Sequence, residues 1–378
     1  MYDTAFLEAG QIFPLTTVTH PIHFALSTMK AVIYTEPKQA RLVTDRPLPQ
    51  LRQNTALVKV AAVALNPTDW KHVSFGMARE GCVLGVDYAG TVEQTNSTEW
   101  NKGDRICGFV HGGNYSNPED GSFAEYLVAP LSTAMKVPDG LSFEEAATLG
   151  CGITTVAQGL FEPGYGLGLN VPSSPVETSE PLLIYGGSSA TGTLGIQLAK
   201  EAGYTVITTC SPRNFGLVRQ RGANEAFDYK DPEVGQKIND YTQNRLRYAW
   251  DCIGTDDAAR TCAEALTSCP GARFGTIRGP KLSRDDVKYT ATMAYVGIGE
   301  DYEKAGKWSR DNQAHAQWQQ TFWKMARNLL AQGKLQVHQV RVGKSGLQGV
   351  LEGLKELEEG AVSGEKLVYL IEDTLYID

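Results

Sequence analysis

Polar and apolar positions alternate along the first third of the chain, and then give way to short, wholly apolar runs. From residue 29 to about 150 the period is two. Met29–Tyr34, Ala56–Leu65, Asp87–Glu93 and Ser122–Val128 read as strands, parted by turns such as Asn101–Arg105. Ser142-Phe-Glu-Glu145 spells a capping box and predicts a helix over about 144–148. Residues 163–181, rich in Gly, Pro and Ser, predict a loop. Beyond it Pro181–Tyr185, Thr205–Thr209, Glu225–Asp228, Tyr248–Asp251 and Arg273–Ile277 are short strands separated by helical stretches. Strands of this kind are buried on both faces, so the pattern predicts a doubly wound α/β region with a parallel sheet. The tail predicts an amphipathic helix at about 315–332, a strand Val337–Val342, a second helix and a last strand Lys366–Ile371.

Composition narrows the partners. A chain of 378 residues with 42% apolar content can fill two cores. Its formal charge of −8 offers no attraction to nucleic acid or to an anionic membrane. Seven cysteines, odd in number and without a C-x-x-C pair, fit reduced thiols and a cytoplasmic setting. No apolar run approaches the length of a membrane span. Residues 1–28 lack the pattern of a secretory signal and are expected to be a disordered extension ahead of the first strand.

The candidate chemistry starts at Tyr185-Gly-Gly-Ser-Ser-Ala-Thr-Gly-Thr-Leu-Gly195. An apolar strand runs into this turn, and a helix follows with Leu194, Leu198 and Ala199 on one face. Strand, small-residue turn and helix together make a pyrophosphate cradle, in which backbone N–H groups and the helix dipole receive the anion. Serine stands at the middle position of Gly187-x-Ser189-x-x-Gly192, so phosphate contact is expected partly from the hydroxyls of Ser188, Ser189 and Thr191, with Ala190 between them. The next strand ends at Thr209-Cys-Ser-Pro-Arg-Asn214, where an NAD site places an acid. Here Ser211, Pro212, Arg213 and Asn214 offer no acid but a hydroxyl, a guanidinium and an amide, which suit the 2′-phosphate of NADPH. An ordinary polar loop would read the same way. Tyr229 follows the next strand, near the expected adenine ribose, and Cys210 is expected to pack. Thr276 and Ile277 end a strand at the edge where open sheets bind ligands.

Asn66-Pro-Thr-Asp69, Gly85-Val-Asp-Tyr-Ala-Gly90, Gly103-Asp-Arg105, Gly121–Tyr126 and Gln197–Lys200 together resemble the medium-chain dehydrogenase/reductase superfamily, from about residue 29 to the end. Tyr185–Ser188, Thr209–Pro212, Asn214-Phe215, Phe227–Tyr229, Leu246–Tyr248 and Ser363–Val368 resemble, within it, the trans-acting enoyl reductases of fungal polyketide synthases, the lovastatin type. The resemblance implies a β-rich GroES-like substrate domain at 29–152 and 315–378, and a Rossmann NADPH-binding domain at 153–314. It also implies that zinc is absent. Asn66 stands where zinc members carry a ligating Cys, and Val86 where they carry His, which cannot be replaced by valine. A metal-free site suits hydride addition to an activated alkene, whose charge spreads into an enolate that hydrogen-bond donors can hold.

Further site residues follow from the same resemblance. The loop Thr68-Asp69-Trp70-Lys71 lies beside the nicotinamide, with Lys71 as a cofactor contact or a positive charge for the enolate; a solvated lysine would read the same. Thr155 is a candidate proton relay or oxyanion donor, or simply a cap or packing residue. With Val156, Ala157, Gln158, Gly159, Leu160, Phe161 and Glu162 it is expected to border the substrate channel. Met293, Ala294, Tyr295, Val296 and Gly297 are expected to line the acyl site, as a strand that is also buried, and Ser363-Gly364 to touch cofactor. The six histidines, with His20 and His23 in the extension, are read as non-catalytic.

The implied activity is an NADPH-dependent enoyl reductase working in trans, as a monomer, with a polyketide synthase or its hybrid with a peptide synthetase. Its substrate would be an α,β-unsaturated acyl thioester on an acyl carrier protein. A soluble quinone or enone reductase shares the metal-free site, and a non-catalytic NADPH-binding scaffold of a synthase is an alternative of another class.

Overall fold

The computed structural model describes residues 28–304, 306–310 and 312–375. The expected extension up to residue 27, with His20 and His23, lies outside these residues; Thr28 already belongs to the strand Thr28–Glu36.

Two sheets organise the chain. The first is mixed and seven-stranded. Its path runs from Val340–Val342 through Lys366–Leu370, Thr55–Ala64, Asp87–Thr95 and Arg105–Phe109 to Ala134–Lys136, and Tyr126–Pro130 also pairs with Thr55–Ala64. Residues 122–125 are not in that strand; an isolated bridge, Ala31 to Ala124, and backbone hydrogen bonds to Lys30, Val32, Val60, Leu84 and Gly85 hold them. The C-terminal strand enters this early sheet antiparallel, with Val368 opposite Ala64.

The second sheet has six parallel strands, in the order Glu225–Asp228, Thr205–Cys210, Pro181–Tyr185, Tyr248–Asp251, Arg273–Thr276 and Lys288–Ala291. The chain starts this sheet in the middle, builds outward to one side, and then crosses to the other. The reversal falls beside Pro181–Tyr185, and in open α/β sheets a ligand crevice opens at such a point, past the carboxyl ends of the strands. Leu182, Leu183, Ile184, Val206, Ile207, Ala249, Trp250 and Phe274 are buried on both faces, which explains why the runs read as continuous apolar segments.

Trp250 fixes the packing behind that crevice. It is fully buried, and Gly195 and Gly159 back onto its ring; a β-carbon at Gly195 would come within 2.9 Å of it. The predicted tail helix is Gln313–Ala331, which lies against the Met293–Ile298 region and the Ala134–Lys136 strand. The predicted strand 337–342 shortens to Val340–Val342. The expected strand at 293–297 is instead a 3-10 turn, Ala294–Ile298, closed by Gly299 at φ +89, a conformation that favours glycine. No helix among the described residues is long and apolar enough to cross a membrane.

Candidate active site

A cleft of about 1210 Å³ opens along the carboxyl ends of Pro181–Tyr185, Thr205–Cys210 and Tyr248–Asp251, and reaches the edge of the mixed sheet at Asn66 and Leu367. The glycine-rich turn forms one wall. Gly186 sits at φ +84, and a β-carbon at Gly187 would run into Thr208 Oγ1, so the backbone here approaches its surroundings as only glycine permits. Ser188, Ser189, Ala190 and Thr191 all line the cleft.

Ser189 departs from the expected role. Its hydroxyl donates to Gly186 O (2.8 Å) and accepts from Gly192 N–H (3.0 Å), capping the helix Ala190–Glu201. The one hydroxyl proton is therefore spent inside the turn, and hydroxyl donation to a phosphate falls to Ser188 and Thr191. The helix start still presents backbone N–H groups and the positive dipole end.

At the next strand end, Ser211 and the exposed Arg213 line the cleft. Pro212 and Asn214 share their 3-10 turn without lining it. Asn214 Nδ2 donates instead to Ser363 Oγ (3.2 Å), which ties this turn to Ser363 and Gly364 across the cleft. Tyr229 also lines it, 42% exposed. These groups fit a dinucleotide carrying a 2′-phosphate: the glycine turn for the pyrophosphate, and Ser211 with Arg213 for the additional anion.

The other end of the cleft belongs to the helix Pro67–Ser74 and its neighbours. Thr68 and Lys71 line the cleft; Asp69 and Trp70 brace the loop. Asp69 Oδ2 accepts from Asn66 N–H (2.7 Å), and burial holds its carboxyl well above the usual range. Burial, and then the neighbouring Arg278 guanidinium, lower the Lys71 ammonium to about 8. Thr155 lines the cleft from near the end of the helix Gly150–Val156, not from its start, and its Oγ1 lies 3.9 Å from Cys151 Sγ. Burial, and then the Asp87 carboxylate, push the Cys151 thiol up to about 12, so it stays a thiol.

Below this end sits a buried ion pair. Lys366 Nζ lies 2.5 Å from Asp87 Oδ2 and 2.9 Å from Asn66 Oδ1. Asp87 Oδ1 accepts from Cys151 N–H at the start of Gly150–Val156. A metal does not fit here. Val86 offers no donor, and an ammonium already satisfies Asn66 and Asp87. Among the described residues no group of three or more His, Cys, Asp or Glu could hold a metal ion.

The acyl-site expectation divides in the same way. Met293, Ala294 and Tyr295 line the cleft, while Val296 and Gly297 are buried behind them. Tyr295 Oη shares a hydrogen bond with Thr68 Oγ1 (3.1 Å), and its ring stacks on His111 (3.8 Å between centroids). Of the run after Thr155, none reaches the cleft. Val156, Ala157, Gln158, Gly159, Leu160 and Phe161 are buried in the interior, and Glu162 pairs with His315 Nδ1 at 2.5 Å. The physical reason is Trp250: the turn carrying Gly159 packs onto that indole, behind the sheet rather than before it. Ile277 lines the cleft, but Thr276 is fully buried, its hydroxyl 3.4 Å from Asp251 Oδ2.

Residues to which the sequence reading gave no place in the site also line the cleft: Arg278, His338, Lys304 and Lys366. Arg278 had a signal, since it directly follows the strand-end pair Thr276-Ile277. His338 had none; it is 2% exposed, with Nδ1 2.9 Å from Thr193 Oγ1 and Nε2 without a partner, and burial lowers it to about 4.

Comparison with known proteins bears on both halves. Residues 52–139 match the family model for the alcohol dehydrogenase GroES-like domain, and residues 190–274 that for the zinc-binding dehydrogenase. The chain is 43% identical over 359 residues to the trans-enoyl reductase resD of Aspergillus sclerotiorum, covering 91% of this chain and all of that protein. It is 44% identical over 280 residues to the trans-enoyl reductase TOXD of Cochliobolus carbonum, covering 73% and 93%. Among solved structures, the quinone oxidoreductase of Pseudomonas syringae pv. Tomato DC3000 shares the fold at a TM-score of 0.70 and 23% identity, over 90% of this chain and 99% of that one. Mycobacterial Rv1454c, solved in complex with NADPH, does so at 0.68 and 21%, over 90% and 99%.

Proposed function

The chain belongs to the trans-enoyl reductases, zinc-independent members of the medium-chain dehydrogenase/reductase superfamily, and on that footing we propose that it reduces an α,β-unsaturated polyketide thioester with NADPH. The acyl chain would arrive on the carrier protein of a polyketide synthase or its hybrid with a peptide synthetase, in fungal secondary metabolism, with this chain acting in trans as a monomer. The observation that carries the reading is a single cleft with a phosphate cradle and Arg213 at one end and Thr68, Lys71 and Tyr295 at the other.

When bound, NADPH supplies the hydride to the β-carbon of the alkene. The chain's own residues do the rest. Gly186, Gly187 and the helix start at Ala190 hold the pyrophosphate, and Ser211 and Arg213 select the 2′-phosphate. The exposed half of Tyr229 offers a face to the adenine end, and Ser363-Gly364 closes over it. Lys71, beside Arg278, brings positive charge to the cofactor end of the reaction site. Thr155 offers a hydroxyl for a proton relay to the α-carbon. Met293, Ala294 and Tyr295 give the acyl chain an apolar wall.

The test sets a crotonyl thioester of pantetheine against quinones, following NADPH absorbance. Turnover of the thioester but not of quinones is expected; the reverse would leave a quinone reductase. In parallel, Arg213→Ala is expected to weaken NADPH ten- to a hundred-fold and leave NADH nearly unchanged, read by cofactor fluorescence. Normal polyketide output from a synthase supplied with a variant that cannot bind NADPH would make the chain a scaffold.

A further inference from the structure

A second cation in the cleft has no counterpart in the roles given so far. Lys304 ends the short strand Tyr302–Lys304 and lines the cleft beside Tyr295, Phe109 and Thr68. Resting on the enoyl reductase reading above, we propose that Lys304 is a catalytic residue, whose ammonium holds the thioester carbonyl oxygen of the acyl chain as that oxygen gains enolate charge.

Its orientation is set by neighbours that do not neutralise it. His72 Nδ1 lies 2.7 Å from the Thr68 carbonyl oxygen. A carbonyl only accepts, so Nδ1 carries the proton and Nε2 presents a lone pair. Lys304 Nζ lies 3.1 Å from that Nε2 and donates to it. Burial, and then the Lys304 charge itself, depress His72 to about 3, so the imidazole stays neutral and remains an acceptor. The ammonium also lies 4.3 Å from the centre of the Tyr295 ring, which His111 and Phe109 hold in place by stacking. A ring and a neutral imidazole orient the cation and leave its charge uncancelled.

That charge is expensive without a counter-ion. Burial alone lowers Lys304 to about 8, and no carboxylate among the described residues acts on it. A fixed cation in a partly dehydrated cleft is matched to an anion that forms there, and a preorganised partner of this kind favours the charged transition state over the neutral substrate. The shared Thr68–Tyr295 hydrogen bond uses one of that pair's two hydroxyl protons, so the other remains for the same oxygen. Lys71 is placed differently. It neighbours the Arg278 guanidinium, and two adjacent cations suit a phosphate-bearing ligand better than one carbonyl oxygen.

The experiment compares the native chain with Lys304→Gln and Lys304→Met in two assays. The first is reduction of crotonyl-pantetheine with NADPH. The second, without NADPH, is titration with acetoacetyl-pantetheine, a non-reducible probe whose enolate absorbs in the near ultraviolet. Both variants are expected to lose about a hundred-fold in kcat while binding NADPH within about two-fold of native and unfolding at a similar temperature. The native chain is expected to shift the bound probe toward its enolate, and the variants to leave it as the neutral ketone. A native rate in either variant overturns the inference, and so does an enolate band of native strength, whatever the rate. If the native chain reduces no enoyl thioester at all, the reductase reading falls and takes this inference with it; activity in the native chain that both variants match overturns this inference alone.

Discussion

Lys366 and Lys304 both line the cleft, but their ammonium heads meet different company. Lys366 is 3% exposed and rests against Asp87 and Asn66, with the Thr148 carbonyl at 3.4 Å. Lys304 meets an imidazole and an aromatic face. The first cation is spent on the fold: through Asp87 it joins the C-terminal strand, the strand Asp87–Thr95 and the start of the helix Gly150–Val156. The second is left in surplus at the place where the reaction puts negative charge. Burial does not separate a structural charge from a reactive one; the presence or absence of a counter-ion does.

The largest effect that tests this contrast is on stability. Lys366→Met leaves Asp87 buried without its cation and is expected to cost about 3–5 kcal/mol, measured by denaturant unfolding. Adding Asp87→Asn should recover part of that loss. A cost below about 1 kcal/mol for Lys366→Met alone would mean that the pair does not join the two strands and the helix as described.

The next effect has opposite signs for activity and for stability. Lys71 and Lys304 act as cations, and both are lowered to about 8, so kcat/KM should fall above that value with a slope approaching about a hundred-fold per pH unit, and about ten-fold in a variant that keeps only one of them. Stability should move the other way. Between about pH 8 and 10.5 an unfolded lysine still binds a proton that the folded one has released, so the unfolded state holds more protons and stability rises with pH. His72, His111 and the Tyr295 hydroxyl face Lys304, and none competes in this window: burial holds both imidazoles below it and the phenol above it. Lys304→Met should flatten the stability rise, with the Lys71 share remaining. Thermal unfolding from pH 7 to 10 reads it.

The smallest effect completes the contrast. At pH 7, Lys304→Met should leave folding stability unharmed and move it in the stabilising direction, because it removes an unpaired charge from a site poor in water. A loss as large as that of Lys366→Met would erase the distinction.

The parallel sheet was legible because its strands are apolar on both faces and closed by turns: Glu225–Asp228 and Tyr248–Asp251 lie where the pattern put them. The cleft was legible where it is built from one strand end and the residues just after it, as at Ser188, Ser211, Arg213 and Ile277. It was hidden where partners are far apart in sequence. Lys304 and His72 are 232 positions apart, and neither sits in a pattern that marks it. Lys366 read as the first residue of a strand, and nothing local said that its head would find Asp87. The run from Val156 to Glu162 shows the converse: the resemblance implies that it borders the channel with Thr155, but Gly159 packs onto Trp250 and the run lies outside the cleft.

The antiparallel pairing of Val368 with Ala64 also bears on the order in which the protein is made. Synthesis delivers Thr55–Ala64 early, yet the strand that covers one side of it, and the lysine that neutralises Asp87, emerge only near the end. Without that strand the first sheet lacks the neighbour of residues 62–64 and the cation that meets Asp87. The parallel sheet has all its strands between Pro181 and Ala291, so it can close while the chain is still on the ribosome. In chain order, every strand of the second sheet therefore precedes the two strands, Val340–Val342 and Lys366–Leu370, that complete the first.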